Sequence, residues 1–130
     1  MRDDNLFKAA SGLGGGIGQM NDVCGALLGA SLMLGVKFGR SREEIEDYEI
    51  ARSSYLPVAR LYKWFEKEFG SATCRGVRTK MAGVFYDTKI PWQKDMADEA
   101  GLPAMCAELA AKTAAHTVEM IWDGAEEKKT

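Results

Sequence analysis

Three cysteines are the side chains of this 130-residue sequence best suited to chemistry. Cys24, Cys74 and Cys106 are 50 and 32 residues apart, and no two of them form a Cys-x-x-Cys pair. This spacing excludes a local metal knuckle, and the lack of a Cys-x-x-Cys-His motif excludes covalent c-type haem. A joint site must therefore be assembled by the fold, with the thiols acting as metal ligands or as a thiol–disulfide couple.

Each cysteine is predicted to lie in the first turn of a helix. The residues that can start these helices are Asp22 before Cys24, Ser71 before Cys74 and Pro103 before Cys106. A helix N-terminus stabilises thiolate and lowers the pKa of a thiol, and Arg75 and Arg78 add positive charge near Cys74. We therefore expect reactive thiols; the alternative is that each is an inert residue of the core.

A glycine-rich loop, GLGGGIG from residue 12 to 18, precedes the first cysteine. A dinucleotide-binding fingerprint would need glycine at Ile17, Gln19 or Asn21, and no Gly-Lys-Ser/Thr follows, so a phosphate loop is excluded. The loop is instead interpreted as a device that presents a thiol and lets a cofactor approach the backbone. The candidate cofactor-binding glycines are Gly14, Gly15, Gly16, Gly18, Gly25 and Gly29.

The periodicity predicts an all-α fold, with alternating strand patterns nearly absent. We expect one domain over residues 1–130, a helical bundle around a central apolar helix capped by Asn21 or Asp22 and ending near Val36. Both faces of that helix should be covered. Gly25 and Gly29 lie four residues apart on one face, where another backbone or a flat cofactor can approach closely.

The other predicted elements follow from caps and breakers. A short helix covers residues 4–10, and Ser41 with Glu44 forms a capping box that starts a helix to Phe69. That helix is either kinked or divided at Pro57, and Gly70 ends it. Residues 79–91 are predicted as a loop or short hairpin. A final helix runs from Pro103 to Trp122, Gly124 ends it, and residues 126–130 form a solvated tail.

Aromatic residues recur every seven positions along the predicted second long helix, at Tyr48, Tyr55, Tyr62 and Phe69. Such a stripe is typical of a core or a dimer seam, so we expect a homodimer. His116, the one histidine of the sequence, is predicted at the surface or at an interface.

Charge and hydropathy exclude several classes of protein. A net charge of -2 with interleaved signs indicates no nucleic-acid binding. The longest apolar run, residues 23–36, is shorter than the ~20 residues of a membrane span. The first ten residues show no secretory signal, so we expect a cytoplasmic protein. No Ser-His-Asp arrangement supports a hydrolase.

Three stretches resemble the redox-active family named for its cysteine pattern C, GCAxxG, C, C. They are GLGGGIGQMNDVCGALLGASLMLGVKFG, FEKEFGSATCRGV and the late MCAELAAKTA. The match is strong in CGALLG, residues 24–29, and in FGSATC, residues 69–74, and it is weaker at Cys106. The resemblance covers nearly the whole chain. It implies a cysteine-based redox or metal role without a defined reaction.

The sequence departs from the family pattern at its first cysteine, which in the family stands ahead of the glycine loop. No cysteine precedes Gly12 here, so the pattern carries over only to Cys24, Cys74 and Cys106. Either the natural chain starts upstream or this member has lost one ligand. A four-thiolate iron–sulfur cluster within one chain is then in doubt, and a three-thiolate site with water or a partner's ligand is the remaining metal arrangement.

Two classes of function follow from these observations. In the first, the three cysteines converge as ligands of an iron–sulfur cluster or another thiolate-bound metal, or as a thiol–disulfide couple that serves an electron-transfer partner protein. In the second, the chain is a non-catalytic all-α dimeric interaction module whose cysteines are inert.

Overall fold

The computed structural model describes residues 2–127, with side chains as far as Gly124. Its α-helices are α1 (Asp4–Ala9), α2 (Gly25–Phe38), α3 (Tyr48–Ser53), α4 (Tyr55–Phe69), α5 (Cys74–Ala82), α6 (Pro91–Glu99) and α7 (Leu102–Glu127). Short 3-10 helices cover Ala10–Leu13 and Arg42–Glu44. The described chain is all-helical, as predicted. None of its helices is both long and apolar enough to cross a membrane.

The hydrophobic core forms where α2 packs against α4 and α7. Helix α2 contributes Leu27, Ala30 and Leu34, and the fully buried residues facing them include Leu61 and Phe65 of α4. These α2 residues recur at three and four positions and so define one face of the helix.

The prediction that both faces of α2 are covered is wrong. Leu32 is 39% exposed and Val36 is 52% exposed. Both lie on the side of the helix opposite Ala30 and Leu34, because two residues advance the helix by about 200°. Part of the apolar surface of α2 is therefore exposed in the described chain.

Helix α2 begins later than predicted, at Gly25, with Cys24 as its N-cap and no side-chain capping bond. Neither Asn21 nor Asp22 caps it. The backbone carbonyls of these two residues instead accept hydrogen bonds from the first amides of α5. Pairing with a distant segment has thus replaced the local cap.

The region around Pro57 contains two helices, and they meet at Ser54 rather than at the proline. Pro57 is the third residue of α4, where the missing N–H would have no partner within the helix. The capping box of Ser41 and Glu44 is present, but it begins only one 3-10 turn. Gly70 ends α4 in the left-handed conformation (φ 81°), as predicted.

The C-terminal third differs from the prediction in two elements. Helix α6 was not expected; it begins with Pro91 at its first position. Helix α7 starts one residue earlier than predicted and continues through Gly124, so that glycine does not end it. A Cβ at Gly124 would lie 2.6 Å from the ring of Phe38, which indicates close packing of α7 on the end of α2. The side chains of the predicted tail, residues 126–130, lie outside the described part of the chain.

The aromatic stripe is divided between core and surface. Tyr48, Tyr55 and Tyr62 are exposed, whereas Phe69 is half-buried and packs against the core. The tyrosines therefore do not extend the core. Self-association through them stays a prediction.

The core of α2 supplies a matched test of this packing. Leu34→Ala should lower the free energy of unfolding by about 2–5 kcal/mol, because it removes a fully buried side chain and leaves a cavity. Leu32→Ala, two residues earlier on the exposed side, should cost less than about 1 kcal/mol. Urea unfolding of both variants measures the difference, and equal losses would contradict the assigned faces.

Candidate redox site

A short backbone pairing brings two of the cysteines together. An isolated antiparallel bridge joins Val23 to Thr73, the residues that precede Cys24 and Cys74. The amide of Cys24 donates to the carbonyl of Ala72 over 2.8 Å. Because opposite residues share a face and side chains alternate along extended backbone, the two cysteines lie on one face as diagonal neighbours. Diagonal neighbours of this kind have Cα atoms roughly 7–8 Å apart.

The same pairing completes the start of α5. Cys74 is the first residue of this helix, and its amide donates to the carbonyl of Asp22 over 2.6 Å. The next amide, of Arg75, donates to the carbonyl of Asn21 over 3.2 Å. The N–H groups that a helix leaves without internal partners are thus satisfied by the segment that leads into Cys24.

The side-chain cap of α5 is Thr73, not the predicted Ser71. The Thr73 hydroxyl accepts a hydrogen bond from the amide of Gly76 over 2.9 Å. Ser71 stands two residues before Thr73, and its hydroxyl accepts a hydrogen bond from the amide of Thr73 over 3.1 Å. The local sequence offered two suitable residues, and the extended conformation of Thr73 decides between them.

The three thiols do not share the predicted position in their helices. Cys24 is the N-cap of α2 and Cys74 is the first residue of α5. Cys106 is the fifth residue of α7, because that helix begins at Leu102. The prediction of a first-turn position is therefore correct for α5, off by one residue for α2 and wrong for α7.

One cavity of about 290 Å³ is lined by all three cysteines. The remaining lining residues are glycines, small or aliphatic side chains and one arginine: Gly14, Gly15, Gly16, Gly25, Ala26, Val77, Arg78, Leu109 and Ala110. Four of the six candidate glycines thus border the thiols. Gly18 is not among the lining residues, and Gly29 borders two other cavities on α2.

Glycine is required at two points of this cavity wall. Gly16 has a left-handed backbone (φ 75°), and a Cβ there would lie 2.6 Å from the carbonyl oxygen of Asp22. At Gly25 a Cβ would lie 2.8 Å from the carbonyl oxygen of Leu13. Both distances are shorter than a methyl group tolerates, so the loop packs directly on the start of α2.

Burial and charge act in opposite directions on the thiols. Burial raises the pKa of Cys74, and the nearby Arg78 guanidinium lowers it through its charge and a hydrogen bond. Burial also raises the pKa of Cys106, again opposed by Arg78. The expected lowering of the pKa is wrong for these two thiols, because loss of solvation outweighs the helix termini and the arginine.

Arg78 is the second chemical group of the site, and the sequence contained a signal for it. It lies four residues after Cys74 and thus on the same face of α5. Arg75, which is equally close in sequence, points elsewhere and stacks over the ring of Phe85 at 4.3 Å. The pairing of the two cysteine segments had no comparable signal, because it joins positions 50 residues apart.

His116 takes no part in the thiol cavity. It is partly buried and stacks on Trp64 with ring centroids 3.9 Å apart. Both the stack and a larger cavity of about 480 Å³ beside it involve α4 and α7. The histidine therefore belongs to a separate region of the protein.

The described residues include no group of three or more His, Cys, Asp or Glu side chains that could hold a metal ion as they stand. The described thiols therefore do not form a preformed three-thiolate metal site.

The described part of the chain is all-helical and places three free thiols at one glycine-walled cavity. The family described as "Putative redox-active protein (C_GCAxxG_C_C)" matches residues 1–120, and the chain belongs to this family. No curated protein and no solved structure matches the chain. The resemblance inferred from the sequence is confirmed, and the family is consistent with a cysteine-based redox role.

Two glycines of α2 test the close contact of the loop. Gly25→Ala should destabilise the protein by about 1–3 kcal/mol, because the methyl group meets backbone that cannot move freely. Gly29→Ala should instead stabilise it by up to about 1 kcal/mol, because its Cβ meets nothing within 4 Å and alanine favours helix. Urea unfolding gives both values, and a stabilising Gly25→Ala would refute the contact.

The raised thiol pKa values predict how stability depends on pH. Unfolded thiols ionise near their ordinary pKa of 9.0, whereas the raised pKa values of Cys74 and Cys106 keep these thiols protonated to higher pH in the folded protein. The free energy of unfolding should therefore be at its full value below pH 9 and fall as the pH rises towards the folded pKa values. Cys74→Ser should show a smaller fall. Identical pH profiles for the parent and Cys74→Ser would contradict the assignment.

Proposed function

We propose that this protein is a two-electron thiol–disulfide redox protein whose couple is Cys24 and Cys74. The observation that carries the proposal is the backbone pairing at Val23 and Thr73, which orients both thiols towards one cavity. A disulfide needs Cα atoms within about 7 Å, and diagonal neighbours of an antiparallel pair are close to that limit. A small approach of the two helix starts would join the sulfurs.

The exposure of the two thiols supports different roles for them. Cys24 is partly exposed and Cys74 is buried. We assign the first attack on an external disulfide to Cys24, since a reagent can reach it. Its thiolate forms a mixed disulfide and releases one thiolate of the reagent; the Cys74 sulfur then displaces the second. Two cysteine thiols lose two electrons and two protons, and one disulfide is reduced to two thiols.

Cys106 is the third thiol of the cavity but lies on α7, outside the backbone pairing. The charges of Cys74 and Cys24 both act to raise its pKa, so a thiolate at either position disfavours a second one here. We therefore assign Cys106 a neighbouring position and leave it out of the couple.

An iron–sulfur cluster or another thiolate-bound metal stays a prediction from the cysteine pattern. Thiolates are suitable ligands for such groups, and a cluster would supply one-electron transfer. The present arrangement of the thiols supplies no observation in its favour. Direct metal and sulfide analysis of anaerobically purified protein distinguishes the two forms of redox chemistry.

We further propose that the protein works in the cytoplasm, where reducing conditions keep three thiols free, and that it exchanges electrons with a partner protein. Exposed tyrosines, Tyr48, Tyr55 and Tyr62, are the apolar surface available for such a partner or for a second copy of the chain. The interaction-module alternative uses the same surface without redox chemistry.

Mapping of the oxidised protein tests the couple. Incubation of the reduced chain with excess bis(2-hydroxyethyl) disulfide should give an internal disulfide between Cys24 and Cys74, with loss of two hydrogens by mass. Cys106→Ser is the matched control and should retain this disulfide, whereas Cys24→Ser and Cys74→Ser should lose it.

Other outcomes of the same experiment would overturn the proposal. A disulfide that includes Cys106 in the parent would replace the assigned couple. Stoichiometric iron and sulfide that disappear in Cys24→Ser would favour a cluster. Protein without metal whose thiols form no internal disulfide would favour the interaction module.

A further inference from the structure

We infer that the thiol cavity is selective for small disulfides that carry a negative charge beside the sulfur atoms, and that Arg78 holds this charge. The inference rests on the proposed thiol–disulfide function and names the class of substrate for that site. Arg78 would act as a specificity-determining residue, and Cys24 would remain the attacking group.

The charge of the cavity comes from one residue. Among the described residues that line it, Arg78 alone carries a formal charge at neutral pH, and the rest are cysteines, glycines, alanines, a valine and a leucine. Apolar walls reduce the screening of a charge by water, so the arginine should act strongly on any ion that enters. A carboxylate would be attracted and an ammonium group repelled.

The charge of Arg78 is not neutralised by a close acidic partner. The charge of Arg78 slightly lowers the pKa of Asp87, but the Asp87 carboxylate accepts a hydrogen bond from the amide of Lys89 over 3.0 Å and pairs with the Lys89 ammonium over 3.4 Å. Within the described residues, no ion pair involves Arg78. Its guanidinium has five donors in a planar fork, so it can bind a carboxylate and still contact the Cys74 sulfur.

The dimensions of the cavity favour a small substrate. A volume of about 290 Å³ is just below the roughly 300–1,000 Å³ typical of small-molecule sites. Gly14, Gly15 and Gly16 form one wall without side chains, so a compact disulfide can lie against the backbone beside Cys24. A substrate of a few carbons on either side of the disulfide fits these limits.

The reaction balances with such a substrate as the oxidant. Its carboxylate pairs with Arg78 while the Cys24 thiolate attacks the adjacent sulfur and expels the first mercaptocarboxylate. Cys74 then attacks the Cys24 sulfur of the mixed disulfide and expels the second. The two protons of the cysteine thiols pass to the two products, and the protein holds one internal disulfide.

Three disulfides of similar length and different charge test the selectivity: 3,3′-dithiodipropionate, bis(2-hydroxyethyl) disulfide and cystamine. The rate of internal disulfide formation is measured with each reagent and divided by the rate at which the same reagent reacts with free 1-thioglycerol, a neutral thiol that none of the three releases, which removes differences in intrinsic reactivity. We expect the anionic reagent to react about tenfold faster than the neutral one, since about 1.4 kcal/mol of attraction gives this factor, and cystamine to be the slowest.

Two arginines of α5 supply the matched variants. Arg78→Gln should bring the three normalised rates together, and Arg78→Lys should retain the order. Arg75→Gln removes an exposed charge outside the cavity and should leave the selectivity unchanged. Because the same cysteine attacks all three reagents, a change in its acidity alters all three rates by the same factor. A change in the ratio of the rates therefore reports recognition of the reagent's charge. Circular dichroism confirms that each variant is folded.

The outcomes distinguish this inference from the proposed function. Equal selectivity in the parent and in Arg78→Gln, or loss of selectivity in Arg75→Gln as well, would overturn the role of Arg78 while disulfide formation still stands. Failure of all three reagents to form an internal disulfide would overturn the redox couple itself. Collapse of the selectivity in Arg78→Gln alone supports the inference.

Discussion

The backbone pairing of residues 22–24 with residues 72–74 is the contact on which the position of the thiols depends. Its two hydrogen bonds join segments 50 residues apart, and each contributes about 1 kcal/mol of net stability. The pairing also provides hydrogen-bond partners at the starts of two helices. Helix α2 has no side-chain cap, and the amide of its N-cap residue Cys24 donates to the carbonyl of Ala72. The first two amides of α5 donate to the carbonyls of Asp22 and Asn21. Without it, buried N–H groups would lose their acceptors and Cys24 would separate from Cys74.

A strained loop holds the carbonyls of this pairing in place. Ile17, Gln19 and Asn21 all have positive φ, a conformation that costs a residue with a side chain of order 1–3 kcal/mol. Hydrogen bonds within the loop, such as Asn21 amide to Gly15 carbonyl over 3.0 Å, offset that cost, and the Lys89 ammonium anchors the carbonyl of Gln19 over 2.7 Å. The loop is thus fixed by backbone bonds, and it brings glycine rather than side chains to the cavity.

The balance of burial and charge sets the state of the thiols. Burial keeps Cys74 and Cys106 protonated, and Arg78 limits the rise of both pKa values. Protonated, buried thiols react slowly with general oxidants, because the thiolate is the nucleophile. The partly exposed Cys24 provides access to the same cavity. Selectivity in such a site arises from position and from one neighbouring cation more than from acidity.

The sequence by itself determined the all-α class, the family, the αL end of α4 at Gly70 and the capping box at Ser41, because periodicity and caps are local properties. It also identified the glycine loop and the three cysteines that line one cavity. Only the tertiary structure decided how the glycine loop and the three cysteines come together. Asn21 and Asp22 were suitable caps for α2, but their carbonyls bond to α5, and the pKa of Cys74 rises because other elements bury it. Both outcomes depend on contacts between residues far apart in the chain, and local sequence preferences carry no information about such contacts.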